Sequence, residues 1–590
     1  MKRTPTGIKV YEKAKDNKKT IKYLMKYISK HKYKVLLAFI LTMLSNVLML
    51  AGPLLIGYTI DLLENKNNID FNKLYLFCGI MIVFYVFSGI FSYLLNALMS
   101  RISARMVADI RIDLNNKMMD MSVGFFDKNA LGDILSRMCY DIDTIGISLT
   151  HDIIQIASSI ISIVISFVMM LIISKELMII FAFSIPISII FISIITKKNR
   201  KYFMERSKKL GALNGYVEEM LTGFKTVKAY DLEKITLDDF EEYNQNARSA
   251  TASAEIHGSR VGPSMNFINN LVLVAIAVLG IIYLKDGIIG AGAITSFILY
   301  SKKFTGPINE IFNIYSDILS ALAAGERVFS IFNNPNETDN GKEEVNLEGN
   351  FKVNHLDFEY VENKPILKDI NLDVEKGKIV AIVGKTGCGK TTLINLLMRF
   401  YNVQNDVILA DGKDINSIKL DNYRLNYSMV LQDTWLFEGS FYDNIKYGNK
   451  DVTLDKVKNA AREALIDDFI EKLPNGYDTI INDNAINISI GQRQQVVIAR
   501  ALLSDSKILI LDEATSNVDT LTEVKIQKAM TKLMENKTCF IIAHRLSTIK
   551  NADQILVMKD GRIVESGKHH ELLEKDGYYK EIYMSQFENV

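Results

Sequence analysis

The strongest chemical pattern in the chain is Gly384-Lys385-Thr386-Gly387-Cys388-Gly389-Lys390-Thr391, with Thr392 following. It fits the spacing G-x-x-x-x-G-K-[ST], in which glycines let the backbone curl until its N–H groups face phosphate oxygens. An apolar, strand-like run, Ile379–Val383, precedes it and a helix-like run to Phe400 follows. In that context the helix N-terminus adds positive potential for an anion. Lys390 is expected to reach the β- and γ-phosphates of a nucleotide, and Thr391 to ligate Mg²⁺. About 120 residues on, Ile508-Leu509-Ile510-Leu511 reads as a buried parallel strand ending in Asp512-Glu513. Acids at such a strand end lie where open α/β sheets bind ligands. Asp512 is expected to hold Mg²⁺, directly or through water, and Glu513 to orient or deprotonate an attacking water. His544 follows a further apolar strand, Cys539–Ala543, where a neutral imidazole could touch the γ-phosphate or the water. A lone histidine at a strand end is more often structural.

These residues need an α/β domain, and the second half of the chain has that pattern. Beyond a polar linker at 331–349, apolar runs of strand length alternate with helical segments over 350–590. The first half is different. Residues 35–60, 74–100, 153–174, 177–196 and 261–284 carry no charge, and each is long enough to cross roughly 30 Å of hydrocarbon as a helix. A sixth apolar run, 287–301, is shorter and ends at Lys302 and Lys303, so a sixth span is drawn at about 287–308 within a membrane domain of 1–330. The first 34 residues hold twelve Lys/Arg against Glu12 and Asp16, and a second basic cluster follows residue 196. The positive-inside rule therefore puts the N-terminus in the cytosol, and six spans return the chain there. The long polar stretches 101–152 and 197–260 are patterned as helices that extend into the cytosol. Residues 20–32 space Ile21, Leu24, Tyr27 and Ile28 on one helical face, which suits a helix on the inner leaflet or an ordinary cytosolic helix end. The first 30 residues lack the apolar core of a signal peptide.

Composition agrees. Of 590 residues, 48% are hydrophobic and the mean hydropathy is +0.11, high for a soluble chain. Lys+Arg 69 against Asp+Glu 68 argues against a dedicated nucleic-acid binder. Cys78, Cys139, Cys388 and Cys539 have no C-x-x-C spacing, so zinc sites and a disulfide framework are not expected.

Taken in order, these motifs resemble the ATP-binding cassette (ABC) exporters, in the half-transporter form that fuses a six-span helical membrane domain to an α/β P-loop cassette. The cassette elements in that order are Tyr360 in HLDFEY, the P-loop, Gln432 in MVLQDTWLF, ISIGQRQQ at 488–495, Asp512-Glu513, SNVD at 516–519 and His544 in AHRLST. In the membrane half, 125–143 and 214–230 look like the family's two cytosolic loops, and 300–311 like the end of its sixth span. The resemblance implies that Tyr360 stacks on adenine. It implies that Gln432 joins Thr391 and Asp512 around Mg²⁺ and relays closure to the membrane domain. It implies that Ser489, Gly491, Gln492 and Asp519 serve ATP across a dimer interface. Short helices near 124–132 and 219–228 would dock on the two cassettes. Lys302 and Lys303 either line the transport cavity or snorkel toward the inner headgroups.

Two departures stand out. The signature reads Ile488-Ser489-Ile490-Gly491-Gln492, with Ile490 where the family usually has glycine, and Asn482-Asp483-Asn484-Ala485 replaces its usual Gly-Glu-Arg-Gly. A β-branched residue is expected to crowd the approach to phosphate and stiffen the turn. With Lys390, Asp512, Glu513 and His544 kept, the chain resembles one half of the heterodimeric multidrug exporters of Gram-positive bacteria. A homodimer that tolerates Ile490 is the alternative. Implied activity is ATP-driven export of drugs, lipids or peptides across the cytoplasmic membrane, with termini and cassette cytosolic; an ATP-gated channel or regulator uses the same cassette.

Overall fold

The computed structural model of the chain describes residues 17–64, 69–431, 434–449, 452–482, 488–512, 519–543 and 549–587. It divides into two compact units, Met1–Asp120 with Asn129–Pro335, and Met121–Lys128 with Asn336–Val590.

The first unit is helical. Helices α1 (Asn17–Ser29), α2 (Lys32–Glu64) and α3 (Phe71–Met119) come first. After α4 (Val123–Lys128), which belongs to the second unit, come α5 (Leu131–Ser136) and, past a π-helical turn at Arg137–Asp141, α6 (Ile142–Ile173). Then follow α7 (Ile179–Thr222), α8 (Phe224–Ala229), α9 (Glu233–Gly258), α10 (Val261–Lys285) and α11 (Ala291–Phe332). At about 1.5 Å per residue α3 is some 73 Å long, so span and polar extension are one continuous helix, as the pattern predicts. Among the described residues, five helical stretches, 32–63, 71–119, 131–173, 179–222 and 233–285, are long and apolar enough to cross a membrane. The lysines and Glu310 break the apolar run of α11. It nevertheless lies antiparallel along α6: Ser162 Oγ donates to the Lys303 carbonyl at 3.1 Å, Gln155 to Glu310 at 2.6 Å, and Arg327 makes two bonds to buried Asp141.

Prolines inside helices remove a backbone donor and interrupt the ladder. Pro307 in α11 leaves the Lys303 carbonyl without its usual N–H, and the Ser162 hydroxyl supplies the missing hydrogen bond. Around Pro53 in α2, the Leu50 and Pro53 carbonyls accept from Tyr300 at 2.6 Å and Ser296 at 2.9 Å, both on α11. Helices α2 and α11 cross where Gly57 and Gly292 meet; a Cβ on Gly292 would lie 2.0 Å from the Gly57 carbonyl.

One expectation changes. Helix α1 buries Thr20 and Tyr27 and stacks Tyr23 on Phe329 of α11, with Tyr27 bonded to Asp113 of α3. Ile21 stays exposed. Leu24 and Ile28 are half-buried, so of the four residues read on one face only Ile21 points away, and the face packs on protein.

The second unit carries twelve described strands. They are β1 (Phe351–Glu359), β2 (Pro365–Val374), β3 (Ile379–Val383), β4 (Ile408–Ala410), β5 (Lys413–Asp414) and β6 (Tyr427–Val430). They continue with β7 (Gly439–Ser440), β8 (Ile480–Ile481), β9 (Ile508–Asp512), β10 (Thr538–Ile542), β11 (Gln554–Lys559) and β12 (Arg562–Gly567). One sheet has the order β12-β11-β3-β10-β9-β6, parallel except for β12, and an antiparallel sheet has the order β2-β1-β4-β5. Strands β3, β9 and β10 are buried on both faces, which explains their uninterrupted apolar sequences. Residues 336–349, read from the sequence as linker, pack on this unit: Glu337 holds Arg424 through two bonds, and Asp339 accepts from the Leu420 N–H.

Candidate functional site

Strand β3 delivers the chain at Val383 into the loop Gly384–Gly389, which enters α12 (Lys390–Leu397). Gly387 and Gly389 have φ of 85° and 104°, a region that side chains disfavour. A Cβ on Gly389 would stand 2.6 Å from Leu367, so the loop also lies too close to β2 for any side chain there. Lys390 is buried, and its Nζ donates to the Gly384 and Lys385 carbonyls at 2.8 and 3.2 Å, which holds the ammonium across the loop. Lys385, Thr386, Gly387 and Thr391 are exposed around it. Cys388 is 7% exposed, and burial pushes its thiol above the usual cysteine range.

The loop therefore combines free backbone N–H groups, a fixed ammonium and a helix N-terminus, a constellation for a polyphosphate. Tyr360, just past β1, donates to Thr392 Oγ1 at 3.3 Å, which sets its ring beside the first turn of α12. Asp512 ends β9. Register pairs Ile542 of β10 with Ile382 on one side and Asp512 on the other, so Asp512 lies two strand spacings from the P-loop strand, about 10 Å. The exposed Thr391 hydroxyl and the Asp512 carboxylate are hard oxygen donors on one sheet edge and fit Mg²⁺. Gln432, Glu513 and His544 lie outside the described residues. The strands that precede them, β6, β9 and β10, run parallel to β3 and end on its edge.

The signature segment is built differently from the expectation. Ser489 caps the helix Ile490–Leu503: its Oγ accepts from the Gln492 N–H, and Gln492 accepts from the Ser489 N–H. Ile490 is the first residue of that helix, with ordinary helical backbone, and its side chain is 46% exposed. The expected stiffening strain is therefore absent, because the capping box never asks this position for positive φ. Only crowding of whatever approaches from outside remains. Among the described residues, Ser489, Gly491 and Gln492 make no hydrogen bond to the P-loop. Asp519 caps the helix Thr520–Met534 by accepting from the Thr522 N–H, which holds its carboxyl below the usual range.

A pair that sequence reasoning missed joins the site to α4. Tyr401 packs edge-on against Tyr360 and Phe358, with centroids at 4.9 and 5.7 Å, and its hydroxyl donates to Asp127 of α4. Burial and that carboxylate raise the Tyr401 pKa, so the hydroxyl remains a donor. Gly124 faces the same ring, where a Cβ would come within 2.8 Å. The FFDKN string was legible as a loop tip, but nothing in the spacing marked Tyr401 as its receptor.

Residues 35–308 match the family model for the ABC transporter transmembrane region, and residues 367–516 that for the ABC transporter cassette. An uncharacterized ABC transporter ATP-binding protein of Bacillus subtilis, YfiC, is 38% identical over 586 residues, 99% of this chain and 96% of the relative. The chain belongs to the ABC transporter family. A fatty acid ABC transporter ATP-binding/permease protein of Mycobacterium tuberculosis is 38% identical, over 88% of this chain and 83% of its own length. An ATP-dependent lipid A-core flippase of Sodalis glossinidius is 36% identical, over 85% and 87%. A bacterial Atm1-family ABC exporter solved with ATP bound superposes with a TM-score of 0.79 at 25% identity, over 94% of this chain and 98% of that one. The protein is thus an ABC exporter half, a helical membrane region fused to an ATP-binding cassette, with ATPase activity coupled to transport.

Proposed function

We propose that this ABC exporter half moves hydrophobic or amphipathic compounds, lipids and fatty acids foremost, out across the cytoplasmic membrane as part of a dimer. The observation that carries the reading is the P-loop cradle with its buried Lys390, in the same chain as the membrane helices. Two of the relatives are named for fatty acid and lipid A-core, which favours lipid-like cargo over peptides. Helix α11 serves as the sixth span, so that 1–330 is the membrane domain and both ends of the chain face the cytosol with the cassette.

At the cassette, loop N–H groups and Lys390 bind and orient the β- and γ-phosphates, and Tyr360 stacks on adenine. Thr391, Asp512 and Gln432 would hold Mg²⁺, which supplies charge neutralisation on the phosphates. Glu513 accepts the proton of the attacking water, and His544 steadies the γ-phosphate. Ser489, Gly491 and Gln492 serve the ATP of the opposite chain, which is why one chain does not complete a site. Helix α4 rides on its own cassette through Tyr401. Exposed Leu221, Phe224 and Tyr230 near α8 suit the other one.

Exposed Ile490 favours a heterodimer, in which this chain's Glu513 works against an intact signature on a different partner. The direct test is the Mg-ATPase rate of this chain purified alone, with Glu513→Gln as blank. Turnover abolished in the blank means that a homodimer suffices. A folded, ATP-binding but inactive chain means that a partner is missing. An ATP-gated channel is separated by vesicle flux, since a gate equilibrates a dye that a pump concentrates.

A further inference from the structure

Lys302 and Lys303 sit at an unusual depth. The Lys303 carbonyl bonds to Ser162, which lies 11 residues before the outer end of α6 at Ile173. At 1.5 Å per residue that is roughly 16 Å, the middle of a hydrocarbon layer of about 30 Å. From the other end, Lys303 is 12 residues into α11, which gives about 18 Å. A four-methylene stem cannot carry an ammonium from there to either headgroup region, so snorkelling is not available to these lysines. A cation left facing lipid at midplane is strongly disfavoured.

The surroundings are those of a wet seam and not of lipid. Lys302 is exposed, and it shares a face of α11 with Gly306, Glu310 and Asp317, at steps of four, four and seven residues. Nothing lies within 4 Å of a Cβ on Gly306. Glu310 accepts from Gln155 and Ser159, and Ser158 donates to Asn46 of α2 at 3.1 Å. Asp152, on the buried face of α6 and 7% exposed, has a carboxylate oxygen with no partner. Acid groups therefore cluster toward the cytosolic end of the seam, while the two ammonium groups sit deeper and alone. Among the described residues neither lysine forms an ion pair.

We propose that Lys302 and Lys303 form the headgroup site of the transport path, and that they bind the carboxylate or phosphate of an amphipathic anion while its chain lies against apolar helix faces. This rests on the export reading above and names its substrate class. Paired midplane ammonium groups select a charged head over a neutral one, because only the charged head gains charge-assisted hydrogen bonds where water is scarce. Asn46 and the α6 serines line the same seam and accommodate the polar remainder of a headgroup.

The test uses the full chain in lipid nanodiscs and four fluorescent probes: cis-parinaric acid and its methyl ester, and a labelled phosphatidic acid and the matching diacylglycerol. Wild type is expected to bind the acid forms at least about tenfold more tightly than their neutral partners. Lys302→Gln/Lys303→Gln should bring that ratio close to one with affinity for the neutral probes unchanged, and Lys302→Arg/Lys303→Arg should keep it. Preference for the free acid alone would identify a carboxylate site, and preference for phosphatidic acid alone a phosphate site. Equal affinity for charged and neutral probes in wild type, or an undiminished ratio in the glutamine variant, would overturn the proposal. ATP-driven uptake of a neutral hydrophobic dye into inverted vesicles is measured in parallel. Uptake without acid preference refutes the lysine site alone, whereas absence of uptake by a preparation that hydrolyses ATP refutes export itself.

Discussion

The hydroxyl of Tyr401 offers the sharpest test of how α4 is held on the cassette. It donates to Asp127 on α4, while its ring touches the ring of Tyr360 beside the P-loop helix. Tyr401→Phe deletes the bond and keeps the ring. Bonds to a charged acceptor are worth about 1.5–3 kcal/mol when buried. Asp127 is exposed, so a value near 1 kcal/mol is appropriate, equivalent to about a fivefold shift between docked and undocked α4. ATP binding should stay within twofold of wild type, because the adenine and phosphate contacts survive. Cargo flux per ATP hydrolysed in proteoliposomes should fall by roughly that fivefold factor. Gly124→Ala should act through the same contact, since its Cβ would stand 2.8 Å from the Tyr401 ring. Combined, the two changes should cost less than the sum of each. An unaltered flux-to-hydrolysis ratio in Tyr401→Phe, or strict additivity of the pair, would sink the reasoning.

Further outcomes follow from other contacts. Lys390→Ala should abolish hydrolysis and weaken MgATP binding at least about tenfold, read by nucleotide fluorescence, because the ammonium that crosses the loop is lost. Alkylation of Cys388 should be slow at pH 7 and accelerate as pH climbs toward its raised thiol pKa, since burial disfavours the reactive thiolate; fast labelling at neutral pH, followed by mass spectrometry, would contradict this. Ile490→Gly should leave the thermal midpoint within a few degrees, a helix-start glycine costing about 1 kcal/mol at most, and should raise the ATPase rate of the chain alone if its signature faces a second copy of itself. Gly292→Ala should lower the yield of folded protein in detergent, because the added carbon meets the Gly57 carbonyl and Asp61.

Legibility in the sequence tracked how local the cause was. The P-loop string and the apolar strands near it declare themselves within about a dozen residues and the uncharged runs within 20 to 27, and the structure has a strand–loop–helix and long apolar helices at those places. The face of α1 is legible apart from Ile21, but its partner is not, because Tyr23 and Tyr27 pack on residues about 90 to 300 positions away, which no helical wheel contains. Ile490 looked strained because glycine was expected there, yet the Ser489–Gln492 capping box makes the position an ordinary helix start. Tyr401 and Asp127 are 274 residues apart and meet only through tertiary packing. The depth of Lys303 needed the α6–α11 register, which a hydropathy profile lacks.

The carbonyls around Pro53 carry a consequence for biosynthesis. They accept hydroxyls from Ser296 and Tyr300, which are made 243 and 250 residues later. At the usual pace of a ribosome that interval is roughly 10–50 s, during which α2 is already in the bilayer without the two hydroxyl contacts that hold it to α11. Until then α2 lacks the polar anchors that dock it on its partner helix. A nascent chain stalled before residue 296 should therefore present α2 to the cell's quality-control proteases, whereas one stalled beyond residue 300 should not.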